Sequence, residues 1–230
     1  MSPIEGTLLQ LNSVAGAFWE IVALTFRVTG TATLISAALG IPAGALLGLS
    51  KFAGRRFIVT SIYTGMGLPP VVVGLAVYLT LSRSGPLGGM EWLFTPWAMV
   101  VAQVIISFPL VAGLTMTAIE ALDPDLRLQL RSLGAGRRQE VAAMLGEARE
   151  GVVAAVVAGF GGIISEVGAA MLVGGNIESQ TRVLSTAIVL ETRRGFFGLA
   201  LGLGGALLGM AFMVNFIFLR LQGRGRWPVR

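Results

Sequence analysis

The sequence contains five long apolar stretches, and their length is the feature that most restricts the fold. They occupy residues 28–50, 60–82, 97–119, 151–175 and 196–219. Each is close to the ~20 residues that an α-helix needs to cross a hydrocarbon layer about 30 Å thick. Hydrophobic residues make up 54% of the chain and charged residues 13%, whereas soluble domains average about 45–50% and about 25%. The pattern predicts an all-α, polytopic membrane protein with about five transmembrane helices.

The basic residues are distributed unequally between the ends of these stretches. Twelve of the seventeen follow the first, third and fifth stretches, and five of the twelve lie in residues 120–150. Cytoplasmic loops of membrane proteins carry an excess of Lys and Arg. The distribution therefore predicts an N-terminus outside and a C-terminus in the cytoplasm, with residues 220–230 as a basic cytoplasmic tail.

Residues 1–27 precede the first apolar stretch and differ from it in character. Apolar side chains recur there at helical spacing beside Trp19, which is typical of a helix that lies on a membrane surface. We expect an interfacial N-terminal segment over residues 1–27, followed by a transmembrane domain over residues 28–219. An additional span over residues 8–27 is the alternative, although Glu20 and Arg27 would shorten it.

Residues 120–150 form the one long polar interruption of the chain. Two groups of apolar residues recur in it at helical spacing, separated by Gly134, Ala135 and Gly136; the groups are Leu126, Leu130 and Leu133, and then Val141, Met144, Leu145 and Ala148. This pattern predicts a helix, a tight turn and a short amphipathic helix. Because a solvated linker does not need two apolar stripes, the segment is a candidate docking surface for a partner protein.

Two positions inside the apolar stretches carry residues that are unusual in a membrane helix. Pro69 and Pro70 remove two adjacent backbone donors, so the second helix should break there, with Pro70 opening a half-helix over residues 71–81. The amides at the start of that half-helix carry partial positive charge, which would suit a passing anion; a kink that serves packing alone is the alternative. Glu166 is the only ionisable residue deep in a stretch. We favour a carboxylate hydrogen-bonded to backbone amides or polar side chains over one that lines a transport path.

Glycines recur at four-residue spacing in the first and last stretches. Gly40, Gly44 and Gly48 form one strip, and the pairs Gly198/Gly202 and Gly205/Gly209 form others. Small residues allow membrane helices to approach closely. We expect these strips to pack against neighbouring helices.

Several classes of function are excluded by what the sequence lacks. The chain has no cysteine and no histidine, so thiol nucleophiles, imidazole bases and the commonest zinc sites have no residues to form them. Lys51, the only lysine, follows Ser50 rather than a glycine, and a phosphate-binding Gly-Lys-Ser/Thr motif is therefore missing. We expect no catalytic residue, no cofactor, no metal and no nucleic-acid partner. An intramembrane enzyme is a weak alternative because only Glu166 lies at membrane depth.

Several segments of the chain together resemble a known family. The segments LPPVVVG (68–74), SFPL (107–110) and ISEVGAAMLVGGN (164–176), with Gly134 at the signature glycine of the polar loop, are similar to permease subunits of binding-protein-dependent ABC importers of the oxyanion branch. The Glu147-Ala148-Arg149 sequence and the Val-Gly-Gly-Asn at 173–176 look most like tungstate permeases. The loop departs from the family signature at residues 128–130, where Leu-Gln-Leu stands in place of Glu-Ala-Ala.

The resemblance, which covers residues 25–220, implies an architecture and a set of partners. It implies a two-fold homodimer in lipid in a bacterial or archaeal inner membrane, with two ATP-binding cassette ATPase subunits inside and an oxyanion-binding protein outside. Import of molybdate, sulfate or an amino acid by the same architecture is the alternative to tungstate. The ATPase-coupling residues would be Leu133, Gly134, Ala135, Gly136, Arg137, Arg138, Val141, Met144, Leu145 and Glu147. The pathway or gate candidates are Pro69, Pro70, Val71, Ser165, Glu166 and Gly168.

Overall fold

The structure is a computed structural model that describes the backbone of residues 3–222 and the side chains of residues 16–220. Over the described residues it contains ten α-helices and one short 3₁₀ helix, and no strand. The helices are α1 (Pro3–Leu49), α2 (Arg55–Met66), α3 (Pro70–Leu81), α4 (Pro96–Glu120), α5 (Pro124–Ser132), α6 (Arg137–Glu147), α7 (Arg149–Ile164), α8 (Gly168–Gly174), α9 (Leu184–Arg193) and α10 (Phe197–Gln222), with the 3₁₀ helix at Gly88–Met90.

Three single helices are long and apolar enough to cross a membrane. These are Gly16–Leu49 of α1, the whole of α4, and Phe197–Arg220 of α10. Two further pairs, α2 with α3 and α7 with α8, meet the same criterion together and are bent by more than 40° at their breaks. The described residues thus offer up to five spans, which confirms the predicted all-α polytopic fold. The side of the membrane on which each terminus lies stays a prediction.

The chain divides into two compact units. The second unit comprises Ala32–Pro69, Gln103–Ile163 and Ala211–Arg230, as far as these ranges are described. Its core contains Leu47, Ile62, Ala112 and Met116. The predicted glycine strip of α1 packs here, because a Cβ at Gly40 would lie 2.9 Å from Val111 Cγ1 and one at Gly48 would lie 3.1 Å from Ile119 Cγ2.

The first unit comprises Met1–Thr31, Pro70–Ala102 and Ile164–Met210, again over their described residues. One core cluster contains Leu184, Ala187 and Leu203, with Phe18 and Ile21 packed against it. Elsewhere in this unit α3 and α8 lie side by side, since a Cβ at Gly74 would lie 2.7 Å from Ala169 Cα. The Thr25 hydroxyl accepts a hydrogen bond of 2.9 Å from the Leu184 amide at the start of α9.

Two helices differ in extent from the stretches that the sequence indicates. Residues before and after residue 27 lie in one helix, because α1 continues without a break to Leu49; the interfacial character of residues 1–27 stays a prediction. No proline or glycine pair interrupts the chain at that point, and the 47-residue helix is about 70 Å long at 1.5 Å per residue. Whether residues 8–27 lie on or in the membrane stays a prediction. The fourth stretch, over 151–175, contains a break between Ile164 and Gly168 that the sequence analysis does not predict.

Apart from the face that carries Leu203, the last helix is largely exposed in the described chain. Only 11% of the residues in its most apolar window are buried, and Leu201, Leu208 and Phe212 are each more than 70% exposed. Apart from the helix's own neighbouring backbone, no described atom lies within 4 Å of a Cβ built at Gly198, Gly202, Gly205 or Gly209. The expected packing of these glycines is therefore not made within the described part of this chain.

Candidate functional site

The polar loop at 120–150 is a helix, a turn and a second helix, as the sequence predicts. Asp123 caps α5, because its carboxylate accepts a hydrogen bond of 2.9 Å from the Asp125 amide, and Pro124 stands in the first turn. The turn that follows α5 contains Gly134 with a φ of +82°, a conformation that glycine adopts readily. The Gly136 amide then donates to Gln139 Oε1 over 2.8 Å at the start of α6.

A buried carboxylate joins the two helices of the loop. Glu140 of α6 is only 4% exposed and forms ion pairs with Arg127 and Arg131 of α5. The Arg127 Nε–H donates to Glu140 Oε1, and the Arg131 Nε–H donates to Glu140 Oε2 over 3.2 Å. Burial alone would raise the pKa of Glu140, but the hydrogen bonds and positive charges of the two arginines outweigh burial and hold the pKa below its usual value. Glu140 is therefore a charged clamp that fixes α6 against α5.

The inner face of α6 packs against the ends of two membrane helices. Met144 and Ala148 are buried in a cluster with Ala45 and Leu49 of α1 and Ile119 of α4. Val141 and Leu145 are partly buried against the same cluster. The predicted stripe on α6 thus joins the loop to α1 and α4 within the second unit.

The outer face of the loop is exposed. Leu133 is 85% exposed and Leu128 is 65% exposed, and Arg137, Arg138 and Glu147 are exposed as well. The apolar stripe expected on α5 is only partly formed, since Leu126 and Leu130 pack against the inner cluster but Leu133 does not. Leu133 is the C-cap residue of α5 and precedes the left-handed turn, so its side chain leaves the helical stripe.

The first group of pathway candidates lies at the break before α3. Helix α2 ends at Met66, Gly67 caps it, and α3 begins at Pro70, so the predicted break and half-helix are both confirmed. Pro69 lies in the break itself, one residue before α3. Val71, in the first turn of α3, is 56% exposed.

The second group lies at the break before α8, where Ser165, Glu166 and Val167 separate α7 from α8. The Ala169 amide donates to Glu166 Oε1 over 3.0 Å, so the carboxylate caps the first turn of α8. The Ser185 hydroxyl donates to the Glu166 carbonyl oxygen over 3.0 Å. These bonds support the structural interpretation of Glu166, while its functional role stays a prediction.

Members of both groups meet in the first unit, which includes residues from Pro70 onward and from Ile164 onward. A Cβ built at Gly168 would lie 2.5 Å from Val71 Cγ2 and 3.3 Å from Glu166 Oε1. The first turns of α3 and α8 are therefore in direct contact, with Val71, Gly168 and Glu166 at the junction. Pro70 precedes Val71 at the start of α3.

Sequence reasoning missed three contacts near the candidate sites, which join residues at least nine positions apart in the chain. These are the Glu140 clamp, the Ser185 bond to Glu166, and an ion pair between Arg55 and Glu120. Arg55 also donates through Nε to the Leu47 carbonyl oxygen over 2.9 Å, which ties the ends of α1, α2 and α4 together. The one available signal was local: Glu140 stands among the arginines of the loop at a position that faces the apolar side of α6.

Comparisons with known proteins agree with this architecture. Residues 40–224 match the family described as binding-protein-dependent transport system inner membrane component. A probable anion ABC transporter permease of Haloferax volcanii is 41% identical over 210 residues, which cover 89% of this chain and 90% of the relative. The tungstate uptake system permease TupB of Peptoclostridium acidaminophilum is 40% identical over 204 residues, with the same shares of 89% and 90%.

A crystal structure shares the fold. A chain of an amino acid ABC transporter with histidines superposes with a TM-score of 0.71 at 20% identity, covering 94% of this chain and 98% of the other. The family match covers most of the chain, and its boundaries include the loop, the two helix breaks and the candidate spans that follow α1, but only residues 40–49 of the first span. The protein is thus a multi-pass protein of the cell membrane and belongs to the binding-protein-dependent transport system inner membrane component family.

Proposed function

We propose that the chain is the permease subunit of an ATP-driven ABC importer that carries an oxyanion, with tungstate as the first candidate. The observation that carries this proposal is the identity of 41% and 40%, each over 89% of the chain, with permeases named for anion and tungstate uptake. The sequence has no phosphate-binding Gly-Lys-Ser/Thr motif. A separate ATPase subunit therefore supplies the energy, and an extracytoplasmic binding protein delivers the oxyanion.

The loop at 120–150 is the surface on which the ATPase would act. Its outer face presents exposed apolar and basic side chains, among them Leu133, Arg137 and Arg138. Its inner face is packed through Met144 against α1 and α4. A force applied to the outer face would reach both membrane helices through this cluster, because close-packed interiors transmit displacement.

The junction of α3 and α8 is the proposed gate. Pro69, Pro70 and Ser165 lie in or next to the two helix breaks, and broken helices at membrane depth occur where the backbone lines a cavity or is buried in protein. Val71 and Gly168 are in contact at this junction. Glu166 would act as a strut for the first turn of α8, because its carboxylate already accepts an amide of that turn.

We further propose that two copies of the chain assemble symmetrically. Up to five spans are too few to enclose a polar path, and symmetric dimers are the commonest assembly of identical chains. The largely unburied face of α10, with its unfilled glycine positions, suits close contact with another membrane helix.

Transport by the purified complex tests the proposed cargo. The permease would be reconstituted in liposomes with its ATPase and binding protein, and uptake of labelled tungstate measured with molybdate or sulfate as competitors. ATP-dependent tungstate uptake that excess sulfate does not suppress is the expected result. Uptake that sulfate or an amino acid abolishes, while tungstate does not compete, would assign a different cargo.

Labelling of single cysteines tests the predicted orientation. The natural chain has no cysteine, so each introduced thiol is unique. Cysteines at Ser84 and Ser179 should react with an impermeant reagent added outside, whereas cysteines at Ser132 and Gln222 should not. External labelling at Ser132 would contradict the predicted orientation and would place the loop on the side of the membrane opposite to the ATPase.

A further inference from the structure

A basic cavity opens beside the polar loop in the second unit. Its volume is about 360 Å³, and its lining contains Lys51, Arg127, Arg131 and Arg137 but only one acidic side chain, Glu140. Glu140 is already paired with Arg127 and Arg131. Within the described part of the chain, Lys51 and Arg137 have no ion pair. The cavity therefore holds an excess of positive charge that no acidic group among the described residues balances beyond Glu140.

The position of Arg137 makes the excess of positive charge in the cavity electrostatically more unfavourable. Arg137 is the first residue of α6, and Gly136 at the N-cap provides no side-chain cap. The amino end of a helix carries partial positive charge, so a cation there is unfavourable and an anion is favourable. An anion in the cavity would offset both Arg137 and the helix end.

An apolar groove continues from the basic cavity. Its volume is about 730 Å³, and Leu47, Phe52, Ile58 and Phe108 are among its lining residues. The groove and the basic cavity share Leu46, Ser50, Lys51 and Arg137. The two spaces therefore meet at the two unpaired cations, with apolar side chains on one side and arginines on the other.

We infer that this combined space binds one anionic phospholipid of the cytoplasmic leaflet. Its phosphate would lie at Lys51 and Arg137, and one acyl chain would lie in the apolar groove. A free oxyanion shares the phosphate chemistry but leaves the 730 Å³ groove without an occupant. Lys51 follows the end of α1 at Leu49 by two residues, at the predicted cytoplasmic boundary of the membrane, where basic pockets between helices bind acidic headgroups.

Lipid binding by the full-length protein tests this inference independently of transport. The purified chain would be titrated with phosphatidylglycerol or phosphatidylcholine and the bound lipid measured by native mass spectrometry. Each of Lys51→Gln and Arg137→Gln should weaken phosphatidylglycerol binding about five-fold, since one basic residue near an anionic lipid contributes about 1 kcal/mol. The matched controls Arg56→Gln and Arg138→Gln, which remove neighbouring exposed charges outside both linings, should change binding less than about two-fold.

A second pair of variants separates a lipid from a free anion. Ile58 lines only the apolar groove, whereas its neighbour Phe57 is 77% exposed and lines neither space. Ile58→Ser should weaken phosphatidylglycerol binding more than Phe57→Ser, and inorganic phosphate should not displace the lipid. All the substituted side chains are exposed, so none of these changes leaves a buried group unpaired.

Three results would overturn the inference. Equal losses in Arg137→Gln and Arg138→Gln would indicate a diffuse surface charge rather than a site. Displacement of the lipid by inorganic phosphate, with no effect of Ile58→Ser, would assign the cavity to a free anion. Efficient disulfide formation between two copies carrying Ile58→Cys, unaffected by added lipid, would assign the groove to a protein contact.

Discussion

The clamp around Glu140 gives an asymmetric prediction, because the carboxylate is buried and its partners are not. Glu140 is 4% exposed, whereas the side chains of Arg127 and Arg131 are 35% and 56% exposed. An arginine that loses Glu140 can return to water. A carboxylate that loses both arginines remains buried without a counter-charge.

The expected losses of loop stability follow from this geometry. Arg131→Gln should cost at most about 1 kcal/mol, because the side chain is more than half exposed and Arg127 remains. Arg127→Gln removes a hydrogen bond to a charged group and should cost about 1.5–3 kcal/mol. The double substitution leaves the carboxylate uncompensated and should cost about 3–5 kcal/mol. Glu140→Gln should cost less than the double substitution, since it leaves no buried charge.

Hydrogen exchange of the loop measures these differences. The loss of protection in peptides that cover α5 and α6 should be smallest in Arg131→Gln, larger in Arg127→Gln and largest in the double substitution. The protection of peptides from α3 and α8 should not change. Arg138→Gln is the matched control, because Arg138 is exposed and has no ion pair in the described chain. A double substitution that is no more harmful than Arg138→Gln would refute the proposed clamp.

The pH dependence of the same protection has a definite sign. The pKa of Glu140 lies below its ordinary value of 4.5, because hydrogen bonds and charges from Arg131 and Arg127 outweigh the opposing effect of burial. A lowered pKa in the folded state contributes stability that is fully present above pH 4.5. The contribution is lost as the pH falls below that value through the lowered pKa. Protection of α5 and α6 should therefore fall on acidification in the wild type and much less in Glu140→Gln.

Three further pairs of substitutions test the turn, the glycine strip and the strut. Gly134→Val should reduce ATP-driven uptake, because a non-glycine residue in the left-handed region costs about 1–2 kcal/mol. Gly134→Asn should reduce uptake less. Equal uptake by the wild type and both variants would show that the turn has no role in coupling. Gly44→Ala should lower thermal stability by about 1–3 kcal/mol, since its Cβ would lie 2.8 Å from Thr115 Cβ, whereas Gly30→Ala on the same helix meets no atom within 4 Å and should not. Glu166→Ala should destabilise the protein more than Glu166→Gln, by about 1–3 kcal/mol, because it leaves an amide without an acceptor. Competition among oxyanions for uptake should be unchanged in both variants. Altered competition in Glu166→Gln would place the carboxylate on the transport path.

The parts of the fold that the sequence predicts correctly depend on local chemistry. The half-helix over Pro70–Leu81 begins at the second of two prolines, where the missing donors would break a helix in any tertiary context. The loop helices follow from apolar spacing on either side of Gly134, whose positive φ is the conformation that favours glycine. Each of these features is determined by residues that are neighbours in the chain.

The break between α7 and α8 depends on tertiary contacts, which is why the apolar pattern of residues 151–175 does not predict it. No proline occurs in that stretch, and the break is instead stabilised by side-chain bonds. Glu166 accepts the amide of Ala169, and Ser185, which is 19 residues away, donates to the Glu166 carbonyl oxygen. The carboxylate of Glu166 in an apolar stretch indicated that this position has a special role. The break in the backbone could not be predicted from it, because the break also depends on where Ser185 lies in the fold.

The glycine strip on α1 also matters for the proposed coupling. Gly40 and Gly48 hold α1 against Val111 and Ile119 of α4, and Ile119 belongs to the cluster that contains Met144 of α6. The loop, the second half of α1 and the second half of α4 therefore share one packed core within a single unit. Since such a core is nearly incompressible, a displacement of α6 should move both membrane helices together rather than deform one of them. A looser strip would still allow folding but would absorb the displacement, so loss of uptake with retained ATPase activity is the expected signature of Gly44→Ala.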